Sequence, residues 1–137
     1  MRESLAVFRK TLPESHPYIA TGVANLGRTL VELNRWNEAE AILREAIRLE
    51  TQALGADSEE VAVAGVSLAR ALAAKNQFKE AETLFRRGYE TLLRTRGPTG
   101  NRTLQTRQWI NEFYARRGRA ADAGEYFDRI ETSGPQH

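Results

Sequence analysis

Two short carboxylate motifs are the residues of this sequence whose types and spacing first suggest chemistry. They are Glu38-Ala39-Glu40 and Glu80-Ala81-Glu82. Neighbouring carboxylates can serve as the general acid and the general base of a reaction. Both motifs also lie near predicted helix starts, where a carboxylate interacts favourably with the helix dipole. Because the motif recurs along the chain, we interpret it as a structural feature of helix starts and not as a catalytic pair.

The other reactive residue types form no recognisable catalytic or metal-binding pattern. Cysteine is absent, and the two histidines, His16 and His137, lie far apart in the sequence. A zinc site needs about four clustered ligands. The sequence contains neither a G-x-S-x-G motif nor a phosphate-binding glycine motif with its lysine. We therefore predict a protein that is not an enzyme and that uses no metal and no cofactor.

The composition predicts one folded domain. The chain has 137 residues, of which 28% are charged and 41% are hydrophobic, which is enough for one core. The lack of cysteine and of any apolar run of about 18 residues predicts a cytoplasmic protein with no membrane insertion. The N-terminal residues enter a helical pattern at once and do not resemble a secretory signal, so we expect the chain to be part of a longer protein.

Positive charge is concentrated in one window, although the net charge is only +2. Residues 86–119 contain nine arginines and two glutamates. Such a window is a candidate surface for an anionic partner, and the simpler interpretation is a helix exterior in contact with water. Nucleic acid is disfavoured as a partner, because few aromatic residues, such as Trp109 and Tyr114, are interleaved with these arginines and the net charge is modest.

An internal repeat of 42 residues organises the whole chain. The stretch NRWNEAEAILREAI (Asn34–Ile47) recurs as NQFKEAETLFRRGY (Asn76–Tyr89) and, with more changes, as GRAADAGEYFDRIE (Gly118–Glu131). The three copies align without a gap. A repeat of this length predicts a stack of similar structural units, each of which needs its neighbours to bury its apolar face.

Each copy is predicted to form two helices joined by a tight turn. In the first copy Val23, Leu26 and Leu30 follow the spacing of a buried helix face. Asn34 provides the turn, and the small Ala39 lets the second helix approach closely. The predicted units are the second helix of a partial repeat at 1–12 and full repeats at 17–54, 58–96 and 100–132. Together they form a single all-α array of about seven helices over residues 1–137.

This pattern resembles the tetratricopeptide repeat. Leu26-Gly27, Leu30, Ala39, Leu43 and Ala46 carry the resemblance. The 42-residue spacing and the joint LPESHPYIATGVANLG are similar to the longer kinesin-light-chain type. The resemblance implies a right-handed αα-superhelix that acts as a protein–protein interaction scaffold. It also implies a fragment of a bacterial protein, because such arrays occur in many of them, including the rear portions of serine/threonine kinases.

The resemblance further implies a concave groove lined by the first helix of each pair. Helical spacing selects the residues of those helices that lie outside the core stripe. The predicted peptide-binding residues are Thr21, Asn25, Arg28 and Glu32 in the first copy, Val63, Val66, Ser67 and Arg70 in the second, and Gln105, Trp109, Glu112 and Arg116 in the third.

The polar residues of this set predict an acidic protein or peptide ligand and no small-molecule substrate. Arg28 and Arg70 are one repeat apart and would form a basic ladder, which Arg116 extends. Arginine recognises carboxylates in bidentate geometry. Asn25 matches an asparagine that kinesin-light-chain-like grooves commonly use, so we expect it to hold the peptide backbone.

The apolar residues of the set predict a pocket for one bulky side chain of the ligand. Val63, Val66 and Trp109 would line this pocket, and buried anchors of this kind dominate binding energy. Trp109 has an alternative role in packing against a further repeat.

Two alternatives to peptide binding follow from the ends of the array. Leu5 and Phe8, in the partial repeat, would leave an apolar face that favours self-assembly into a homo-oligomer. The array would otherwise act as a regulatory module of a larger protein such as a bacterial serine/threonine kinase.

Overall fold

The computed structural model describes residues 17–133, and these residues form six α-helices. The helices are α1 (Pro17–Glu32), α2 (Trp36–Leu54), α3 (Glu59–Ala74), α4 (Phe78–Arg96), α5 (Asn101–Arg116) and α6 (Ala120–Ser133). No strand occurs within this range, which confirms the predicted all-α class. The helix predicted at 1–12 lies outside the described residues. None of the six helices is long and apolar enough to cross a membrane.

The same hydrogen-bonded turn joins the two helices of every pair. After α1, the Arg35 N–H donates to the Leu30 carbonyl at 2.9 Å and the Asn34 N–H donates to the Val31 carbonyl at 3.0 Å. This pair of bonds is the Schellman motif, and it requires a left-handed residue at its centre. Asn34, Asn76 and Gly118 have φ values of 59°, 64° and 69°, which confirms the tight turn predicted between the two helices of each copy.

The first helix of each pair buries an apolar stripe under the second helix. Val23, Leu26 and Leu30 of α1 are buried, as the sequence predicts. The three alanines one repeat apart, Ala39, Ala81 and Ala123, are also buried. A methyl group at this point keeps the two helix axes close, so the alanine register sets the geometry of every pair.

The pairs stack so that α1, α3 and α5 lie side by side in one layer. Helix α3 contacts both α1 and α5, while α2 packs between α1 and α3, and α4 packs between α3 and α5. Short connections of this kind place sequential helices antiparallel. The first helices therefore form a continuous face, which is where the sequence places the candidate binding residues.

Aromatic rings dominate the contact between the second and third pairs. Tyr89 of α4 lies 5.1 Å from Phe127 of α6, and Phe85 lies 5.3 Å from Phe113 of α5, measured between ring centroids. Within the third pair, the guanidinium of Arg107 in α5 lies 4.0 Å from the centroid of the same Phe127 ring. Edge-to-face pairs and cation–π contacts each add stabilisation beyond burial. The third repeat thus uses larger side chains than the first to fill the same kind of interface.

One glycine marks a position where two helices touch through their backbones. A Cβ atom added to Gly88 of α4 would lie 2.3 Å from Cγ2 of Val66 and 3.1 Å from the carbonyl oxygen of Ala62, both in α3. Gly65 of α3 is also buried, but the nearest atom to its added Cβ would be Cδ2 of Leu84 at 3.8 Å, an ordinary contact.

We expect alanine to have opposite effects at these two glycines. Gly88→Ala should lower the free energy of unfolding by about 1–3 kcal/mol, because the backbone of α3 would have to move. Gly65→Ala should raise it by up to about 1 kcal/mol, because alanine favours the helix and meets no obstacle. Urea denaturation of the two variants measures both values, and equal effects at the two positions would contradict the described helix contact.

Candidate functional site

The two carboxylate motifs link the first and second repeats through ion pairs. Arg44 of α2 donates to both carboxylate oxygens of Glu80, each at 2.9 Å. Glu40 accepts from Lys75 at 2.5 Å and from Arg44 at 3.0 Å. Hydrogen bonds from Lys75 and Arg44 hold the pKa values of Glu40 and Glu80 below the usual range. A general acid needs the opposite shift, so the geometry favours a structural role for these groups.

The remaining members of the two motifs also bond within the chain. Glu38, in the first turn of α2, pairs with Arg35 at 2.6 Å. Glu82 accepts a hydrogen bond from the Tyr114 hydroxyl, and Arg86 donates to that hydroxyl at 2.7 Å. The helix-start location predicted for the motifs is therefore correct, and these bonds between helices add to it.

Three adjoining cavities lie along the layer of α1, α3 and α5, and together we call them the groove. The acidic cavity, of about 260 Å³, is lined by Thr21, Ala24, Asn25, Arg28, Glu50, Glu59, Glu60, Val63 and Arg102. The central cavity, of about 240 Å³, is lined by Arg28, Glu32, Val63, Val66, Ser67, Arg70, Leu92, Arg102, Gln105, Thr106 and Trp109. The aromatic cavity, of about 640 Å³, is lined by Trp36, Arg70, Ala73, Ala74, Asn76, Phe78, Phe85, Trp109, Glu112, Phe113, Arg116 and Arg117.

Shared residues make the groove continuous. Arg28, Val63 and Arg102 line both the acidic and the central cavity. Arg70 and Trp109 line both the central and the aromatic cavity. Each of the twelve predicted binding residues lines at least one of the three, so the structure brings the whole predicted set together on one face.

The two arginines of the predicted ladder are already engaged inside the protein. Arg28 donates to the side-chain oxygen of Asn25 in the same helix. Arg70 donates to Glu32 of α1 at 2.9 Å, and its guanidinium lies 4.1 Å from the centroid of the Trp109 ring. A ligand carboxylate would therefore have to compete with partners that these arginines already have.

Two predicted binding residues are more buried than their selection implied. Val66 is 2% exposed and Ser67 is 6% exposed, whereas helical spacing predicts positions outside the core stripe for both. The reason is that α3 is the central helix, with α1, α2, α4 and α5 packed around it. Most of the α3 surface is consequently covered, and Val66 rests against Gly88 of α4. These residues form the floor of the central cavity.

The set of binding residues predicted from the sequence lacks Arg102, which lines the acidic and central cavities. Arg102, Gln105 and Trp109 follow i, i+3, i+7 spacing in α5, so continuing the predicted face by one turn toward the N-terminus finds Arg102. Arg102 is exposed, and it forms no ion pair within the described part of the chain.

Trp36 and Phe78, the first residues of α2 and α4, lie beside the groove, which the sequence pattern does not predict. Both are half-buried against the core. They also line the aromatic cavity, where the guanidinium of Arg117 lies 4.2 Å from the centroid of the Phe78 ring.

Glu50 is the residue of the groove whose environment is least expected for its type. It lies near the C-terminal end of α2, it is 3% exposed, and its Oε1 atom accepts no hydrogen bond from any of the residues that the structure describes. Burial, together with the nearby charge of Glu60, raises the pKa of Glu50 to about 7, while Arg28 opposes the shift. One repeat later the same position is the buried Leu92.

The raised pKa of Glu50 makes stability depend on pH in a specific direction. Between its ordinary value of 4.5 and about 7, the folded chain holds a proton that the unfolded chain has released. The free energy of unfolding therefore falls through this window as the pH rises, by up to about 3 kcal/mol, and the loss is complete above it.

We expect Glu50→Leu to remove this contribution. In urea denaturation, the free energy of unfolding of the Glu50→Leu variant should exceed that of the unsubstituted chain by more at pH 8 than at pH 5. Other carboxylates titrate in both proteins and cancel in the difference. A difference that stays constant between the two pH values would contradict a buried, unpartnered carboxylate at this position.

Within residues 17–133, histidine, aspartate and glutamate side chains form no cluster of three or more that could hold a metal ion. Comparison with protein families gives a match to the tetratricopeptide repeat over residues 19–94, which is more than half of the chain. Comparison with curated proteins gives no match. Tetratricopeptide repeats are non-catalytic and generally mediate protein–protein interactions. The helix pairs, their repeated turns and this match together establish that the chain belongs to the tetratricopeptide-repeat family.

Proposed function

We propose that the groove binds a segment of a partner protein that carries acidic residues and one bulky apolar side chain. The observation that carries this proposal is the continuity of the three cavities along α1, α3 and α5. A continuous groove suits an extended or short helical peptide better than a compact small molecule, because a peptide can fill adjoining cavities at once.

The aromatic cavity is the best receptor for the apolar anchor. Its volume of about 640 Å³ exceeds that of the other two cavities, and Trp109, Phe78 and Phe113 line it. The anchor pocket first proposed used Val63, Val66 and Trp109; the burial of Val66 leaves little of its surface for a ligand. Large anchors in aromatic pockets supply most of the energy of many interfaces.

Two arginines without internal ion pairs are the best contacts for carboxylates of the partner. Arg102 borders the central cavity and Arg116 borders the aromatic cavity. Both are exposed, and neither forms an ion pair inside the described range. Such side chains can turn toward a carboxylate without breaking a bond. Asn25 is also exposed, and we propose that its amide group bonds the peptide backbone.

The arrangement of the arginine-rich window supports a protein partner over nucleic acid. Of the nine arginines in residues 86–119, four form ion pairs with other residues of the described range: Arg86, Arg96, Arg107 and Arg119. Binding to nucleic acid depends on the number of cations available to neutralise phosphates.

For the self-assembly alternative, the key residues Leu5 and Phe8 lie outside the described residues.

We expect selection from a library of random 12-residue peptides to show the preference directly. Captured peptides should be enriched in aspartate and glutamate around a single aromatic or large aliphatic residue. For a captured peptide, Arg102→Glu should weaken binding about tenfold or more, because it replaces an attraction with a repulsion. Trp109→Ala should have an effect of similar size through loss of the anchor wall. Fluorescence anisotropy measures both affinities.

Arg87→Glu is the matched control for the charge reversal. Arg87 is an exposed arginine of α4 that lines a different cavity, which shares no residue with the groove. The Arg87→Glu substitution should leave the affinity for the captured peptide unchanged. Peptides without acidic or apolar preference, or equal losses for Arg87→Glu and Arg102→Glu, would refute the groove as the binding site.

A further inference from the structure

We propose that the acidic cavity binds a cationic side chain, a lysine or an arginine, of the partner protein, and that Glu50 is its principal contact. The identity of the partner rests on the function proposed above, while the cation site itself stands on the residues of the cavity.

Glu50 is a charged residue in a position that the repeat otherwise fills with an apolar one. Leu92, one repeat later, is buried and forms part of the floor of the central cavity. Glu50 is similarly buried and lines the acidic cavity, and one of its carboxylate oxygens has no hydrogen bond within residues 17–133. A buried polar atom without a partner destabilises a protein, and leucine would avoid this cost. A group of this kind is expected where a ligand supplies the missing partner.

A second carboxylate points to the same ligand. Glu60 lines the acidic cavity from α3, is exposed, and forms no ion pair in the part of the chain that the structure describes. Its charge acts unfavourably on ionised Glu50. A cation between the two carboxylates would remove this repulsion and would also supply the hydrogen bond that Glu50 lacks.

The other charged groups of the cavity leave this role open. Arg28 of α1 and Arg102 of α5 line the cavity, but neither donates a hydrogen bond to the Oε1 atom of Glu50. Arg28 instead donates to Asn25. Glu59 accepts from Arg96 at 2.7 Å and is therefore already paired. Glu50 and Glu60 are the two carboxylates of this cavity that remain for a ligand.

The geometry favours an organic cation over a metal ion. A protein site for a bare divalent ion collects several oxygen ligands around one point, and residues 17–133 contain no cluster of three such side chains. The cavity, at about 260 Å³, has room for the end of a long side chain. An ammonium or guanidinium group brings its own hydrogen-bond donors, which match the unpartnered oxygen of Glu50.

The site gives the groove a direction. The acidic cavity would take a basic residue of the partner, Arg102 at its border with the central cavity would take an acidic residue, and Arg116 would take another one farther along. A partner segment with the reverse order of charges would place like charges opposite each other, which is unfavourable at each end. The order of basic and acidic residues would therefore set the orientation in which the partner binds.

The test uses the 137-residue chain and n-butylammonium chloride as the probe, with sodium chloride at equal ionic strength as the reference. NMR of the side-chain carboxyl carbons follows the titration of Glu50, whose signal is assigned by its absence in Glu50→Gln. We expect saturable binding in the millimolar range that lowers the pKa of Glu50, because the cation binds the ionised form. Affinity should fall about tenfold for each pH unit below that pKa.

Three variants separate the cation site from other roles of Glu50. In the variants, the carboxyl signal of Glu60, which lines the same cavity, reports binding. Glu50→Gln should weaken butylammonium binding about tenfold, whereas Glu125→Gln, which removes an exposed carboxylate of α6 away from the groove, should leave it unchanged. Glu50→Leu should abolish this binding and should also raise the melting temperature at pH 8. The proposal is overturned if Glu50 shows no saturable shift below about 100 mM probe, or if sodium or calcium ions produce the same shift. It is likewise overturned if Glu50→Leu is less stable than the unsubstituted chain at pH 8.

The same variants then connect the site to the partner. A peptide captured by the groove that contains a lysine should lose about tenfold affinity for Glu50→Gln and keep its affinity for Glu125→Gln. Butylammonium binding without any peptide preference would support the cation site and contradict the proposed function. Peptide binding that ignores Glu50, with no butylammonium effect, would contradict the cation site alone.

Discussion

The close packing of each first helix under its second helix is the constraint on which the rest of the structure depends. Neither helix of a pair can bury its apolar stripe alone, and the buried alanines Ala39, Ala81 and Ala123 bring the two axes close enough to do so. Identical turns at Asn34, Asn76 and Gly118 then return the chain in the same direction each time. Because the geometry repeats, α1, α3 and α5 lie side by side, and the groove is a consequence of this packing.

A strict repeat makes departures from it informative. Leu92 shows what the position needs for stability, namely an apolar side chain of moderate size in the space between neighbouring first helices. Glu50 fills the same space with a carboxylate whose pKa is raised to about 7 by burial and by Glu60. Stability alone would select leucine at both positions. Leucine at this position therefore meets the requirement of the fold, and the carboxylate of Glu50 reflects the role proposed for the groove.

The sequence predicted the fold well because the fold depends on patterns that survive in a single chain. The 42-residue shift, the apolar spacing around Leu26 and the turn residues each constrain the backbone independently, and they agree. The candidate site was predicted as a face, since helical spacing identifies which residues point the same way. Helical spacing does not tell which side chains bond to each other between helices. The bond of Arg70 to Glu32, 38 residues earlier, therefore could not be predicted. Neither could the burial of Val66, which depends on α3 being enclosed by four other helices.

Ion pairs within the chain also determine which charged side chains of the groove are available to a partner. Arg70 bonds to Glu32 of α1 and stacks on Trp109 of α5, so it connects all three first helices across the central cavity. A ligand carboxylate that displaced Glu32 would exchange one partly exposed ion pair for another, and such pairs differ by only about 0–1 kcal/mol. Within residues 17–133, Arg102 has no ion pair to lose when it binds a carboxylate, so the full attraction is available to the complex. Arg70 therefore stabilises the shape of the groove, and Arg102 is the better determinant of which partner the groove accepts.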